Sequence, residues 1–410
     1  MRRFVNRMSL PLRGKVLYRI RGREMLAYFP RPYPGEILYS VLARLWMHIG
    51  QPKPRAFMEL VLGSKNGRAT VDFPGHLDLL VQHVPFDALQ ADRVIDELTL
   101  FPYYTAFEPP AMRAALRRGM KTGRLNTTRA RSGLQAYAVG RTGELRYCPV
   151  CSAQMYEAHG EMYWRREHQI PGVLVCPVHH QSLCTCVIAR SPGSYLPASS
   201  VTCPDDAPAI VPPSHWDVLP HLERLALLSR HVLETPPSAR TLKGWQAHYV
   251  QLLRSTELSR SKWMTDQQLL NAQLCHFYGR TLELLPNVIE GETLRGNWLT
   301  NLVRNDRRGM HPLYHLLLQD FLDQRDQHHS PFGAGPWRCG NGACTVAERF
   351  PIKALTWHRL RDGTRVAVFT CRCGYRTTRS LNEETGVAGK TTFLMYQSPI
   401  VEELEPPLSI

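Results

Sequence analysis

A chain of 410 residues, 43% hydrophobic and 21% charged, is long enough for two to four globular domains with ample cores. The formal charge of +15 points to a polyanionic partner. No run approaches the ~18 consecutive apolar residues of a helical membrane span, so a membrane-spanning helical protein is excluded and no membrane partner is expected.

In chain order, residues 1–28 form a basic arm in which eight Arg or Lys precede the first acidic residue, Glu24. The arm has neither an unbroken apolar segment nor a small-residue cleavage site, so it does not read as a secretory signal. Residues 29–190 read as an N-terminal domain. It opens on the proline-punctuated run Phe29–Glu36, after which Ile37, Leu38, Val41, Leu42, Leu45 and Ile49 recur at helical spacing. Further helices are predicted at 54–62, 74–83 and 91–100, and the aromatics Phe101, Tyr103, Tyr104 and Phe107 that follow are expected to anchor the core. Between Arg113 and Arg146 there are nine Arg or Lys and one acidic residue, Glu144. Arg117, Arg118, Arg129 and Arg131 in this stretch are candidate phosphate contacts.

Cys148 and Cys151 form a CPVC knuckle, and Cys176 and His179 form a CPVH knuckle. Two x2 turns, each presenting two ligands to one side of a metal, are the spacing of a structural tetrahedral zinc finger spanning 148–179. Residues 191–214, rich in Pro, Ser and Ala, read as a linker. Cys184, Cys186 and Cys203 have no fourth donor at ligand spacing and read as structural.

Helices resume at 215–234 and 241–255 within a second helical region, 215–330. From Thr265–Asp266 a capped helix with Leu269, Leu270, Leu274 and Phe277 runs to Tyr278–Gly279, and a short helix follows from Arg280. That outline is a helix-turn-helix. Arg280, Arg304, Arg307 and Arg308 sit on or beside it and are candidate base-contacting residues. His311 and His315 stand i,i+4 but lack the neighbouring Glu of a zinc peptidase, so packing is expected of them. Residues 335–380 pair Cys339-x4-Cys344 with Cys371-x-Cys373 around two alternating stretches, 355–358 and 366–369, joined by a turn at 361–364. This is the pattern of a second structural zinc site, a ribbon. Residues 381–410 are a tail. The clustering of ten of the eleven cysteines within 148–203 and 339–373 favours metal binding over disulfides.

The run Gly160-Glu161-Met162-Tyr163-Trp164, then His168-Gln169-Ile170-Pro171-Gly172 leading to Cys176, resembles the zinc-finger core of the TniQ/TnsD family. The Phe29–Glu36 lead and the Leu100–Tyr104 stretch resemble other elements of that family's N-terminal region. Trp298-Leu299-Thr300-Asn301-Leu302-Val303-Arg304 followed by His311-Pro312-Leu313-Tyr314-His315 resembles the helical DNA-binding region that follows in TnsD-type members. The resemblance implies a mainly α, multi-domain helical protein with helix-turn-helix units, one CxxC/CxxH finger and a C-terminal zinc ribbon, with two Zn2+ as cofactors. It also implies a non-catalytic selector of transposon insertion sites in the bacterial cytoplasm, associated with the nucleoid. Such a selector binds double-stranded DNA and recruits an AAA+ ATPase regulator; docking on a CRISPR guide-RNA complex is the alternative within the family.

Two enzyme-like patterns stand beside this reading, the class-level rival being a zinc-dependent nucleic-acid enzyme. His159-Gly160-Glu161 mimics a deaminase HxE, but the following knuckle completes a closed site. Gly389-Lys390-Thr391 mimics the end of a phosphate-binding loop, yet Glu384 occupies the position of its leading Gly. No catalytic residue is expected.

Overall fold

The computed structural model describes residues 17–20, 23–63, 70–85, 89–125, 144–188, 195–254, 256, 258–261, 264–290, 293–304, 309–328, 336–353, 355–360, 364–381 and 388–396. Among the described residues the fold is mainly α, with thirteen α-helices. No helix among them is long and apolar enough to cross a membrane. The chain divides into two compact units. One comprises Met1–Leu242, Arg280–Arg295 and Arg307–Leu316; the other comprises Lys243–Gly279, Gly296–Asp306 and Leu317–Ile410.

The first unit begins with a two-stranded antiparallel hairpin, β1 (Leu17–Ile20) and β2 (Arg23–Leu26), within the basic arm. Helices α1 (Leu38–His48), α2 (Pro54–Leu62), α3 (Leu77–His83), α4 (Ala91–Leu98), α5 (Phe101–Tyr104) and α6 (Pro110–Thr122) follow. Their apolar faces meet the 3.6-residue period: Leu38, Val41, Leu42 and Leu45 are all buried on α1. Pro54 starts α2, where a missing N–H costs nothing, and Gly63 ends it at φ +62°, a conformation that favours glycine. The aromatics Phe101, Tyr103, Tyr104 and Phe107 are all buried, as expected. After the basic stretch, β3 (Arg146–Tyr147) pairs with β4 (Cys184–Thr185), and α7 (Pro149–His159) lies between them in sequence.

Residues 195–212 pack onto this module: Tyr195, Cys203 and Val211 are buried, and the Ile210 N–H donates to the Leu183 carbonyl at 2.8 Å. Helix α8 (Leu219–Glu234) then adds Leu222, Leu225 and Val232 to the core. The same unit includes α11 (Thr281–Leu284), a single turn, and the hairpin β7 (Ile289–Glu290) and β8 (Thr293–Leu294). His311 packs edge-on against Tyr103 and Tyr104, and His315 stacks on Phe107 at 4.0 Å. Burial holds both histidines down near 3, so they are neutral packing rings, as the absence of a zincin glutamate suggested.

The second unit holds α9 (Leu242–Arg254), the β5–β6 hairpin (Ser259–Ser261, Met264–Thr265), α10 (Gln267–Tyr278) and α12 (Trp298–Arg304). The Asp266 carboxylate accepts from the Leu269 N–H at 3.2 Å, which satisfies one orphan donor of α10. Helix α13 (Pro312–His328) begins in the first unit and continues into the second from Leu317. Tyr278 donates to the Leu317 carbonyl and to Asp320, so this buried hydroxyl does not go unpaired. The unit ends in a four-stranded antiparallel sheet of order β12-β11-β10-β9: Leu355–Arg359 (β9), Arg365–Thr370 (β10), Tyr375–Leu381 (β11) and Ala388–Tyr396 (β12). The two stretches read as strands from sequence are β9 and β10. Two further strands complete the sheet, and the segment carrying Gly389-Lys390-Thr391 is one of them rather than a phosphate-binding loop. The predicted turn at 361–364 lies largely outside the described residues, with only Thr364 within them.

Candidate metal centres and nucleic-acid interface

The first knuckle is built by a strand-to-helix transition. Cys148 keeps an extended backbone at the N-cap of α7, Pro149 fills the first helical position, and Cys151 falls in the first turn. The second knuckle follows the Gln169–Val173 turn, and the β3–β4 pairing draws the two together. Cys148, Cys151, Cys176 and His179 offer ligand atoms that all lie within 4.8 Å of one another. Cys151 Sγ stands 3.7 Å from Cys176 Sγ, and Cys148 Sγ stands 3.5 Å from His179 Nδ1. A tetrahedral ion with metal–sulfur bonds near 2.3 Å sets its donors roughly 3.5–3.8 Å apart, so the geometry fits a metal of zinc's size.

The surroundings hold those ligands from outside. Gln181 Nε2 donates to Cys148 Sγ at 3.2 Å, and the His179 N–H donates to Cys176 Sγ at 3.4 Å. Such donors favour thiolates over thiols. Gln169 clamps the strand below: its Oε1 accepts the Arg146 N–H at 3.1 Å, and its Nε2 donates to the Arg146 carbonyl at 2.8 Å. The buried Arg146 guanidinium donates to the Ile170 and Val173 carbonyls, and burial lowers it to about 10. Gly172 closes the turn at φ +86°, where a Cβ would stand 2.9 Å from Leu313. The HQIPG run is therefore a scaffold for the metal knuckle.

The Phe29–Glu36 lead meets the same module. Ile37 N–H donates to the Trp164 carbonyl, and Arg166 N–H donates to the Gly35 carbonyl. Glu36 is fully buried, accepting from Arg44 at 2.9 Å, Ser40 at 2.8 Å and the Tyr33 N–H at 2.9 Å. Burial pushes its carboxyl up to about 7 against the opposing pull of Arg44. Arg44 also reaches Glu161 at 2.6 Å and lies over the Tyr33 ring at 4.1 Å. Glu161, the acid of the HxE mimic, is thus held by Arg44, Tyr33 and His48. Sequence reasoning left this network unread, although Ser40 and Arg44 interrupt the apolar face of α1 at i and i+4, with Glu36 four residues before Ser40.

The second group, Cys339, Cys344, Cys371 and Cys373, also gathers within 4.8 Å. Cys339–Cys373 and Cys344–Cys371 are each 3.7 Å apart, the same tetrahedral spacing. It rests on a small core of Ile352, Leu355, Trp357, Ala367, Phe369 and Leu381. Burial pushes the Cys339 thiol up to about 12. Cys184 and Cys186 donate instead to the Ala207 and Ile188 carbonyls, and Cys203 contacts the Thr202 hydroxyl. Burial drives Cys203 to about 12, and none of the three joins a four-donor group among the described residues.

The candidate DNA-contacting residues have varied surroundings. Arg118 is exposed on α6. Its neighbour Arg117 is engaged by Asp96 and Asp92 and lies over the Phe101 ring at 4.8 Å. Arg280 donates to the Ser214 carbonyl and pairs with Asp217 at 3.3 Å while remaining 47% exposed. Arg304 is exposed at the end of α12. Arg129, Arg131, Arg307 and Arg308 lie outside the described residues. The helix predicted to follow Gly279 is the single turn of α11.

Comparison with known proteins accounts for both halves. Residues 27–183 match the family described as TniQ, and residues 225–394 match the family described as Tn7-like transposition protein D. The chain is 25% identical over 299 residues to the Transposon Tn7 transposition protein TnsD of Escherichia coli. That alignment takes in 72% of this chain but spans only 57% of the relative's length.

Proposed function

Because the chain belongs to the TniQ/TnsD family of transposition proteins, we propose that it is a non-catalytic selector of transposon insertion sites that binds target DNA directly and recruits an AAA+ regulator of the transposase. The observation that carries this reading is the succession in one chain of a TniQ region and a Tn7-like transposition protein D region. The charge of +15 supports a DNA partner, since Arg and Lys that neutralise phosphates release counterions and supply salt-sensitive affinity. Arg117, Arg118, Arg129 and Arg131 serve as phosphate contacts, while Arg280, Arg304, Arg307 and Arg308 serve the base-reading region. For Arg117 and Arg280 this requires exchanging an exposed carboxylate partner for DNA, a small cost for surface pairs.

Both four-donor groups are assigned Zn2+ as closed structural sites. Four protein donors complete a tetrahedron and leave no position for an activated water, which supports the absence of catalysis. Zinc supplies folding energy here; the chain's own residues orient the knuckles and carry the DNA contacts. The protein acts in the bacterial cytoplasm at the nucleoid, with the TniQ region facing the ATPase.

Footprinting the purified full-length protein on genomic fragments tests the reading. A discrete protected site whose affinity falls steeply with salt is the expected result, followed by capture of the AAA+ regulator on that complex. Uniform binding without a protected site would overturn direct selection. Protection that requires an added guide-RNA complex would move the assignment to the other branch of the family.

A further inference from the structure

The ribbon sheet has two chemically different faces, and strand register separates them. Residues paired across strands share a face, and alternate residues along each strand share it too. One face holds Leu355, Trp357, Ala367 and Phe369, the core beneath the second four-donor group. On the other face the row Thr356–Val368–Thr378–Thr392 crosses all four strands. Beside it, Thr370 pairs with Arg376. Val368 is buried, Thr370, Arg376 and Thr378 are half-buried, and Thr356 and Thr392 are exposed.

This hydroxyl-rich face belongs to a basic part of the chain. Residues 336–396 carry ten Arg and Lys against four Asp and Glu, an excess of six within a chain whose total is +15. Lys353 is paired with Glu348, while Lys390 stands exposed on β12 beside the bulge between the Arg379 and Leu381 pairings. Three of the four residues in the row are threonines, and its one valine is buried. Threonine hydroxyls interleaved with arginine and lysine are the groups that hold sugar–phosphate backbones, and adjacent strands about 4.8 Å apart present them as a regular array.

We propose that this face of the ribbon sheet contacts the sugar–phosphate backbone of duplex DNA, as a second anchoring surface in addition to the helical region. The proposal rests on the DNA-binding reading above and extends it to a surface that positions the duplex without reading bases. The ribbon then adds affinity and leaves site choice to the helices.

The test compares the full-length parent with Arg376→Gln/Lys390→Gln on two duplexes of unrelated sequence, over a range of salt concentrations. Metal content and thermal midpoint are checked first. Lys390→Gln alone, at an exposed position, serves if the double variant misfolds. The double variant should bind both duplexes about tenfold more weakly and flatten the logarithmic salt slope by about two, one for each lost phosphate contact. The single variant should flatten it by about one, and Arg376→Lys should preserve it. Parental affinity and slope in Lys390→Gln and in a folded double variant would overturn the ribbon surface while leaving the selector reading intact. Loss confined to an RNA duplex, with DNA binding unchanged, would overturn it in favour of an RNA-facing sheet. A parent that binds no duplex DNA at all would overturn both readings.

Discussion

The two four-donor groups share a spacing and differ in what surrounds them. In the first, Cys148, Cys151 and Cys176 are buried within the large core of the first unit, next to the Gln169–Arg146 clamp. In the second, Cys339 and Cys344 are half-exposed, and the apolar support is one small cluster under a sheet. The same coordination chemistry would therefore stabilise different amounts of structure. A metal in the first site would organise a wide network of helices and turns; a metal in the second would close a local sheet whose own core is slight.

The largest expected effect follows directly. Cys148→Ser should lose one metal per chain and abolish cooperative folding of the first unit, since structural zinc contributes on the order of 10 kcal/mol to small modules. Cys371→Ser should lose one metal per chain as well, but leave the main thermal transition in place. Metal analysis with calorimetry checks both; equal damage from the two substitutions would break the comparison.

A buried ion pair sharpens it next. Arg44→Met leaves Glu36 buried without its cation and should cost about 3–5 kcal/mol in denaturant unfolding. The corresponding change at the exposed ribbon pair, Lys353→Met, should cost no more than about 1 kcal/mol. Parity between them would mean that the first unit tolerates an unpaired carboxylate.

Glu108 gives a pH-dependent version. It is 3% exposed, and burial raises its carboxyl from 4.5 to about 7. The folded state thus holds a proton that the unfolded state releases at lower pH. The stability linked to that proton is full below about pH 4.5 and is lost as pH rises through about 7. Glu108→Gln should therefore match the parent near pH 4.5 and exceed it at pH 8 by about 2–3 kcal/mol. A stability difference that stays constant across this range would refute the assignment. The exposed ribbon carboxylate Glu348, changed to Gln, should shift stability by less than about 0.5 kcal/mol.

The smallest of the four effects concerns the turn behind the first knuckle. Gly172→Ala combines φ +86° with a methyl 2.9 Å from Leu313, and should lower stability by at least ~1 kcal/mol while leaving metal content unchanged. Loss of the metal in this variant would show that the HQIPG turn sets the knuckle itself.

Much of the architecture was legible in the amino-acid order because it is local. The helix at 54–62 was read from its apolar period, and the Asp266 cap from its position before an apolar run. Both four-donor groups were legible because ligand spacing is written along the chain, and the family was legible from contiguous motifs. Tertiary structure alone decided the rest. Tyr39 is buried at 2%, and its hydroxyl accepts the Leu196 N–H at 2.9 Å. The pairing of Arg44 with Glu36 and Glu161, and the docking of His311 and His315 on Tyr103, Tyr104 and Phe107, join residues separated by up to about two hundred positions. The face of the ribbon that presents threonines was equally hidden, because β11 carries few apolar residues and those of β12 run consecutively instead of alternating. Ligand spacing, capping and helical period are properties of neighbours in sequence; burial of a charge, or which side of a sheet meets water, depends on what the rest of the chain brings against it.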